Sequence, residues 1–384
     1  MGSYKFTSRI HVSIFLATLT IQCVFAAKNC NFPAIFNFGD SNSDTGGLAA
    51  SFGPIPSPSG ETFFHSPQGR DCDGRLVIDF IAQSLGLPFV HPYLDSIGAN
   101  FTRGANFATA GSTIRRQNTT FFQTGYSPFS MDVQSWQYNQ FVNRSLSTKN
   151  AVFKELLPTA DSISNGLYTI DVGQNDLTSA YVQGMTTEQV MAEVPDMIKK
   201  LVIVIQNIYW NGGRSFWIHN TGPFGCLPYV LDRFPLTAAQ VDKFGCGSTF
   251  NSVAQYFNKK LKEAVVQLRK QFPLASFTYV DIYSVKHAVI TKASELGFEH
   301  PLMACCGHGG KYNFNIKWGC GYTYWIHGKP VQVAKSCKDP SVRVNWDGYH
   351  FTEAANKWIF NQIVNGAYSD PPTPISQACS AKDS

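Results

Sequence analysis

Ala34-Ile35-Phe36-Asn37-Phe38-Gly39-Asp40-Ser41-Asn42-Ser43-Asp44-Thr45-Gly46 begins as an apolar run and breaks at Gly39 into a turn of small polar residues. The run suits a buried strand and the break suits a strand end. Leu167-Tyr168-Thr169-Ile170-Asp171-Val172 repeats the pattern and leads into Gly173-Gln174-Asn175-Asp176. Ser215–His219 and Phe277–Ile282 read as two further strands. Between them lie helical periods. Val253, Phe257, Leu261, Val265 and Leu268 form one stripe, with Asn258, Lys259, Lys262 and Lys270 filling the other face. Thr187 to Tyr209 reads as a second long helix, interrupted near Pro195 and stopped by Gly212-Gly213. Strands alternating with helices predict a parallel sheet covered on both faces. In such sheets the site lies beyond the carboxyl ends of the strands, where Ser41 and Asn175 both fall.

Far along the chain stands Trp346-Asp347-Gly348-Tyr349-His350. A histidine three residues after an aspartate suits a base and the carboxylate that orients it, and Ser41 suits the nucleophile that such a base activates. Acyl chemistry also needs donors for the oxygen that becomes negative. Gly111, in the small-residue stretch Asn106-Phe107-Ala108-Thr109-Ala110-Gly111-Ser112, could supply a backbone N–H, and Asn175 an amide. Asp40, Asp44 and Asp176 read as turn residues, and His219 and His308 as structural ones.

The segments around Ser41, Gly111, Asn175 and His350, in that order, resemble the four blocks of the plant GDSL esterase/lipase family, or SGNH hydrolases. Gly60-Glu61-Thr62-Phe63-Phe64, Asp73-Gly74-Arg75-Leu76 and Thr221-Gly222-Pro223-Phe224-Gly225-Cys226 resemble the same plant branch, and in particular its early-nodulin-like members. The resemblance spans about Phe32 to Cys379 and implies a flavodoxin-like three-layer α/β/α sandwich. It assigns Ser41, Asp347 and His350 to a catalytic triad, and Ser41 N–H, Gly111 and Asn175 to an oxyanion hole. No metal or organic cofactor is implied. One departure is visible, since the first block reads Gly-Asp-Ser-Asn where the family name spells Gly-Asp-Ser-Leu. Relatives of this branch bear the names acetylesterase and α-fucosidase. The expected reaction is therefore hydrolysis of short acyl esters, acetyl above all, on a glycan, glycoside or small metabolite. An acyltransferase with the same triad and a glycosidase are the alternatives.

Lys5 and Arg9 precede an apolar run to Phe25 and then Ala26-Ala27, the plan of a secretory signal peptide over residues 1–26. Residues 27–384 contain no linker or repeat and read as a single domain. Secretion to the cell wall or apoplast follows, with the vacuole as the other destination. The sequons at Asn100, Asn118 and Asn143 fit that route as glycosylation sites. Nine cysteines remain after Cys23, so disulfides are expected and at least one thiol stays unpaired. Cys305-Cys306-Gly307-His308 lacks the spacing of a zinc site. The net charge of +5 includes two basic residues in the leader, leaving 29 basic against 26 acidic. Neither that balance nor the pattern of basic and aromatic residues argues for nucleic acid. No other apolar run approaches the length of a membrane span, and the oligomeric state is open.

Overall fold

The computed structural model describes residue 2 and residues 29–379. The expected leader, the cleavage site and Cys23 therefore fall outside the described residues, Gly2 aside.

The main sheet is built from β1 (Ile35–Gly39), β2 (Gly104–Asn106), β3 (Leu167–Asp171), β4 (Ser215–His219) and β5 (Ser276–Val280), all parallel. Two small pairs lie apart from it: β6 (Glu299–Ala304) runs parallel to β9 (Arg343–Asn345), and β7 (Thr323–Ile326) forms a hairpin with β8 (Lys329–Gln332). A two-residue strand, β10 (Ser369–Asp370), closes the main sheet antiparallel to β5. Spatial order is β10-β5-β4-β3-β1-β2. The parallel part thus has the doubly wound order whose crossovers diverge between β1 and β3, and a crevice opens there at the carboxyl ends.

Alternation along each strand explains the layers. Phe36, Phe38, Tyr168, Ile170, Phe216, Ile218, Phe277 and Tyr279 point to one face, where they join a core with Tyr138, Leu201 and Phe257. Ile35, Leu167, Trp217 and Val280 point to the other, against Ile78, Val285 and Ile359. The first face is covered by α2 (Met131–Ser147), α4 (Thr187–Trp210) and α5 (Ser248–Gln271). The second is covered by α1 (Val77–Ser84), α6 (Ile282–Thr291) and α7 (Glu353–Ile363). With α3 (Gln174–Val182) these are the helices of eight or more residues among those described. A sheet sandwiched between two helical layers results, as the alternation of elements requires.

Two expectations are corrected. Helix α4 runs through Pro195 without a break. Pro195 is exposed while Val194, Met197, Ile198 and Leu201 are buried, so the proline sits on the outer face and the buried apolar stripe keeps the helix continuous on either side of it. Ile282 starts α6 instead of ending β5, because the Asp281 side chain accepts from Ser284 N–H and caps the helix there.

The cysteines among the described residues form four disulfides, Cys30–Cys379, Cys226–Cys246, Cys305–Cys337 and Cys306–Cys320, leaving Cys72 of them free and buried. One buried ion pair ties the second helical layer to the turn after β1. The Arg70 guanidinium donates to both Asp79 carboxylate oxygens at 2.8 and 2.7 Å and to the Thr45 carbonyl at 3.3 Å. Asp79→Ala would leave that guanidinium buried without its counter-charge, and urea unfolding should register a loss of roughly 3–5 kcal/mol. A loss near zero would mean that water or rearrangement satisfies Arg70. Replacing both partners with apolar residues should cost less than the single change.

Candidate active site

β1 ends at Gly39, whose φ of 146° and close approach to β3 admit no side chain, since a Cβ would lie 2.1 Å from the Asp171 carbonyl. Gln134 on α2 grips this residue from the side, accepting from Gly39 N–H at 3.0 Å and donating to its carbonyl at 2.8 Å. Beyond it the chain winds into one tight turn, with Ser43 and Asp44 N–H donating to the Asp40 carbonyl. Ser41 sits on that turn, and its own N–H has no hydrogen-bond partner among the described residues.

The carboxylates around the turn act as clamps. Asp44 accepts from the N–H groups of Gly46, Gly47 and Leu48 and from Ala110 N–H at 2.7 Å, which fixes the small-residue stretch beside Ser41. Asp176 accepts from Ile114 and Arg115 N–H, and the Asn175 amide donates to the Ser112 carbonyl at 2.9 Å, so β3's following helix is tied to the same stretch. Gly111 N–H, like that of Ser41, donates to nothing among the described residues.

Beneath the turn lies a charged group that sequence reading missed. Lys286 on α6 is buried, and its ammonium donates to Asn42 Oδ1 at 2.9 Å, while the Asn42 amide donates to Asp40 Oδ1 at 2.8 Å. Asn42, the departure from the family spelling, thus bridges a lysine and a carboxylate, which leucine could not do. Asp171 accepts from His219 Nδ1 at 2.9 Å, and Trp217 Nε1 donates to His219 Nε2. Burial and the neighbouring Asp171 push Asp40 up to about 7, whereas Lys286 and His219 outweigh burial at Asp171 and hold it below the ordinary range.

His350 and Asp347 come from the loop between β9 and α7. Asp347 Oδ1 accepts from Tyr349 and His350 N–H, which folds the loop so that Asp347 Oδ2 meets His350 Nδ1 at 2.7 Å. His350 Nε2 lies 2.7 Å from Ser41 Oγ, across 309 residues of chain. The sequence-selected Ser41, His350 and Asp347 are thus brought into one hydrogen-bonded line. Together with Gly111 and Asn175 they line a single cavity of about 680 Å³. Leu48, Ile55, Phe121, Phe122, Tyr126, Tyr229 and Arg233 also line it.

Asp71 also reaches this cavity, and nothing in its local sequence singled it out. Its carboxylate, the Asp347 carboxylate and the His350 ring each have an atom within 4.8 Å of the others. Both His350 nitrogens are already engaged, so a cation at this cluster would have to displace Ser41 or Asp347. Burial disfavours the His350 cation, but the Asp347 charge and hydrogen bond, then Asp71 and Asp40, outweigh it and push the imidazole up to about 9. Burial, partly opposed by His350, pushes Asp71 up to about 6.

The segment from residue 35 to residue 363 matches the family model described as GDSL-like Lipase/Acylhydrolase. The chain belongs to the GDSL lipase/acylhydrolase family. It is 57% identical over 368 residues to a GDSL esterase/lipase of Arabidopsis thaliana, covering 95% of this chain and 97% of the relative. It is likewise 57% identical to a GDSL esterase/lipase of Zea mays, over 93% of this chain and 91% of that one. A protein named alpha-L-fucosidase 3 of Arabidopsis thaliana is 55% identical, over 92% and 93%. The family membership makes this protein a carboxylic ester hydrolase of the serine type with the SGNH α/β fold.

The raised His350 pKa carries a stability consequence. A histidine raised in the folded state stabilises the fold fully below its unfolded value of roughly 6.5, and the gain is lost as pH rises through about 9. NMR titration of the His350 ring should find a value near 9, and Asp71→Asn should lower it by removing one of the charges that favour the cation. An unchanged titration in Asp71→Asn would take Asp71 out of the electrostatics of the site.

Proposed function

We propose that the protein is a secreted esterase in which Ser41 is the nucleophile, His350 the base and Asp347 the carboxylate that orients it. Ser41 N–H, Gly111 N–H and the Asn175 amide hold the oxyanion. The observation that carries this reading is the line Ser41 Oγ, His350 Nε2, Asp347 Oδ2 on the wall of a cavity beside two N–H groups with no partner among the described residues. His350 takes the Ser41 proton as the hydroxyl attacks the ester carbonyl, and Asp347 stabilises the imidazolium. The alcohol leaves with that proton, and water activated by His350 then releases the acid. The substrates are short acyl esters, acetyl above all, of a glycan, glycoside or small metabolite.

Residues 27–384 act in this reading as one domain, exported by the leader over residues 1–26. Support for export comes from the four disulfides, which persist in oxidising compartments, and from exposed side chains at Asn100, Asn118 and Asn143 for glycosylation. No helix among the described residues is long and apolar enough to cross a membrane.

One relative's fucosidase name favours a second reading, a glycosidase. That chemistry needs two carboxyls flanking a sugar, and it would leave Ser41 and its contact to His350 without a role. Hydrolysis of p-nitrophenyl acetate, butyrate and palmitate separates the readings. The acetate should be the best of the three, and Ser41→Ala should abolish turnover. Serine-independent activity on a p-nitrophenyl fucoside would reverse the ranking. Asn175→Ala should cost about 2.7–4 kcal/mol of barrier, two to three orders of magnitude in kcat, with the fold intact; wild-type turnover in that variant would remove Asn175 from the mechanism. Because His350 must be neutral to act as base, log kcat/KM should climb with pH, with a slope of about one, up to a plateau near 9. A plateau already reached at neutral pH would mean that His350 titrates as an ordinary histidine.

A further inference from the structure

Residues 305–338 carry five lysines, Lys311, Lys317, Lys329, Lys335 and Lys338, and no aspartate or glutamate. The excess of base over acid in residues 27–384 is only three, so this stretch holds more positive charge than the whole of that region shows on balance. All five lysines are exposed, and none takes part in an ion pair among the described residues. Interleaved with them are Trp318, Tyr322, Tyr324 and Trp325, the last two exposed by 55% and 66%. The whole-chain charge balance conceals this pattern.

The geometry is that of a ridge. β7 and β8 pair with Tyr324 opposite Val331 and Trp325 opposite Pro330, and alternation sends Tyr324 and Trp325 to opposite faces of the ribbon. Both faces are open to solvent. The base of the ridge is bolted to the rim of the Ser41 cavity. Gln332 Nε2 donates to the Ser57 carbonyl at 2.7 Å, and Ser336 Oγ donates to the Glu61 carboxylate. Gly321 packs so tightly on Pro56 and Ser57 that a Cβ would lie 2.5 Å from the Ser57 carbonyl. Pro56 and Ile316 line the cavity itself. Disulfides Cys305–Cys337 and Cys306–Cys320 close the stretch at its root.

We propose that residues 311–335 form a binding platform for an acidic polysaccharide, one whose sugars bear carboxylates, and that the bound chain presents its acyl esters to Ser41. The proposal rests on the esterase reading of the cavity. Indole and phenol rings offer flat faces to the C–H faces of sugar rings while keeping a polar edge in water. Unpaired ammonium groups interleaved with them along the sequence complement carboxylates, and a chain of several sugars is the kind of ligand that touches both ridge and cavity. An anionic membrane would instead meet a single apolar face, whereas here the rings point to both sides of the ribbon. Single-stranded nucleic acid uses the same residue types, but the secreted reading, which the disulfides support, puts the protein among glycans, and the adjoining cavity is read as one for ester chemistry.

Affinity electrophoresis in gels containing polygalacturonate or neutral dextran tests the binding, with Tyr324→Ala/Trp325→Ala and Lys317→Gln/Lys329→Gln/Lys335→Gln beside the wild type. Polygalacturonate should retard the wild type and dextran should not. Each variant set should raise the apparent Kd about tenfold. In the same variants the ratio of kcat/KM on acetylated polygalacturonate to that on p-nitrophenyl acetate should fall by a similar factor. Equal retardation by dextran, loss in the lysine variant alone, or tighter capture by poly(U) or anionic vesicles would overturn the proposal. Retention by polygalacturonate with neither ester hydrolysed would remove the esterase reading and leave the platform standing. Hydrolysis of p-nitrophenyl acetate without retention would do the reverse.

Discussion

A 2.7 Å contact between Ser41 Oγ and His350 Nε2 joins two side chains that are 309 residues apart, and the architecture is what makes that contact possible. A hydrogen bond contributes about 0.5–1.5 kcal/mol net, far too little to close a chain of that length. The closure is made elsewhere. Helix α7 packs beside α1 in the second helical layer, so the segment carrying His350 lies against the segment that follows Ser41. Glu353, at the start of α7, accepts from Arg75 N–H at 2.8 Å and from the Arg75 guanidinium, and Glu353 N–H donates to Asp73. Cys30–Cys379 links the two ends of the described chain. His350 arrives already oriented, since Asp347 has folded its loop through the neighbouring N–H groups.

The turn that carries Ser41 at the end of β1 is surrounded by buried charge. Asp40, Asp44, Asp171 and Lys286 all lie under or beside the Ser41 turn with almost no exposure except at Asp171. Asp44 repays its desolvation with four backbone N–H bonds, which fix the relation between the turn and Ala110-Gly111. Asp40 is less well satisfied, with Oδ2 unpartnered among the described residues, and the proximity of Asp171 adds repulsion. Lys286 offsets both carboxylates, and Asn42 transmits its hydrogen bond to the turn. A leucine at position 42 would leave the buried ammonium without that acceptor, so Asn42 and Lys286 form a unit. The same concentration of negative charge reaches His350, where Asp347, Asp71 and Asp40 together favour the imidazolium.

What could be read from the sequence divides along the range of the interactions. Strands β1, β3, β4 and β5 show in runs of apolar residues because each is buried on both faces, and α5 shows in its stripe because one face meets the sheet. Ser41, Gly111, Asn175, Asp347 and His350 stand in short segments of unusual composition, and all five line one cavity. Gln134, Lys286 and Asp71 were invisible because their meaning lies in a partner far along the chain: Gly39 for the first, Asn42 for the second, His350 for the third. Nothing about a glutamine in an amphipathic helix announces that it will clamp a strand end. Pro195 misled for the opposite reason, since a local rule yielded to burial on the far side of the helix. The disulfide partners depend on the path of the backbone in space, which spacing does not encode.

The ridge at residues 305–338 shows what the disulfides contribute where the core does not reach. An isolated two-stranded hairpin is marginal in water, and β7 and β8 bury almost nothing between them. Beneath them the apolar contacts shrink to a small cluster of Cys305, Cys306 and Trp346, with Cys320 and Cys337 packed against it. Two crosslinks closing loops within that cluster remove conformational freedom that burial could not remove. A surface that must stay exposed to meet a ligand cannot be stabilised by covering it. Fixing it covalently at its root, and seating Gly321 and Gln332 on the Pro56-Ser57 rim, lets four aromatic rings remain in solvent with a set position relative to Ser41.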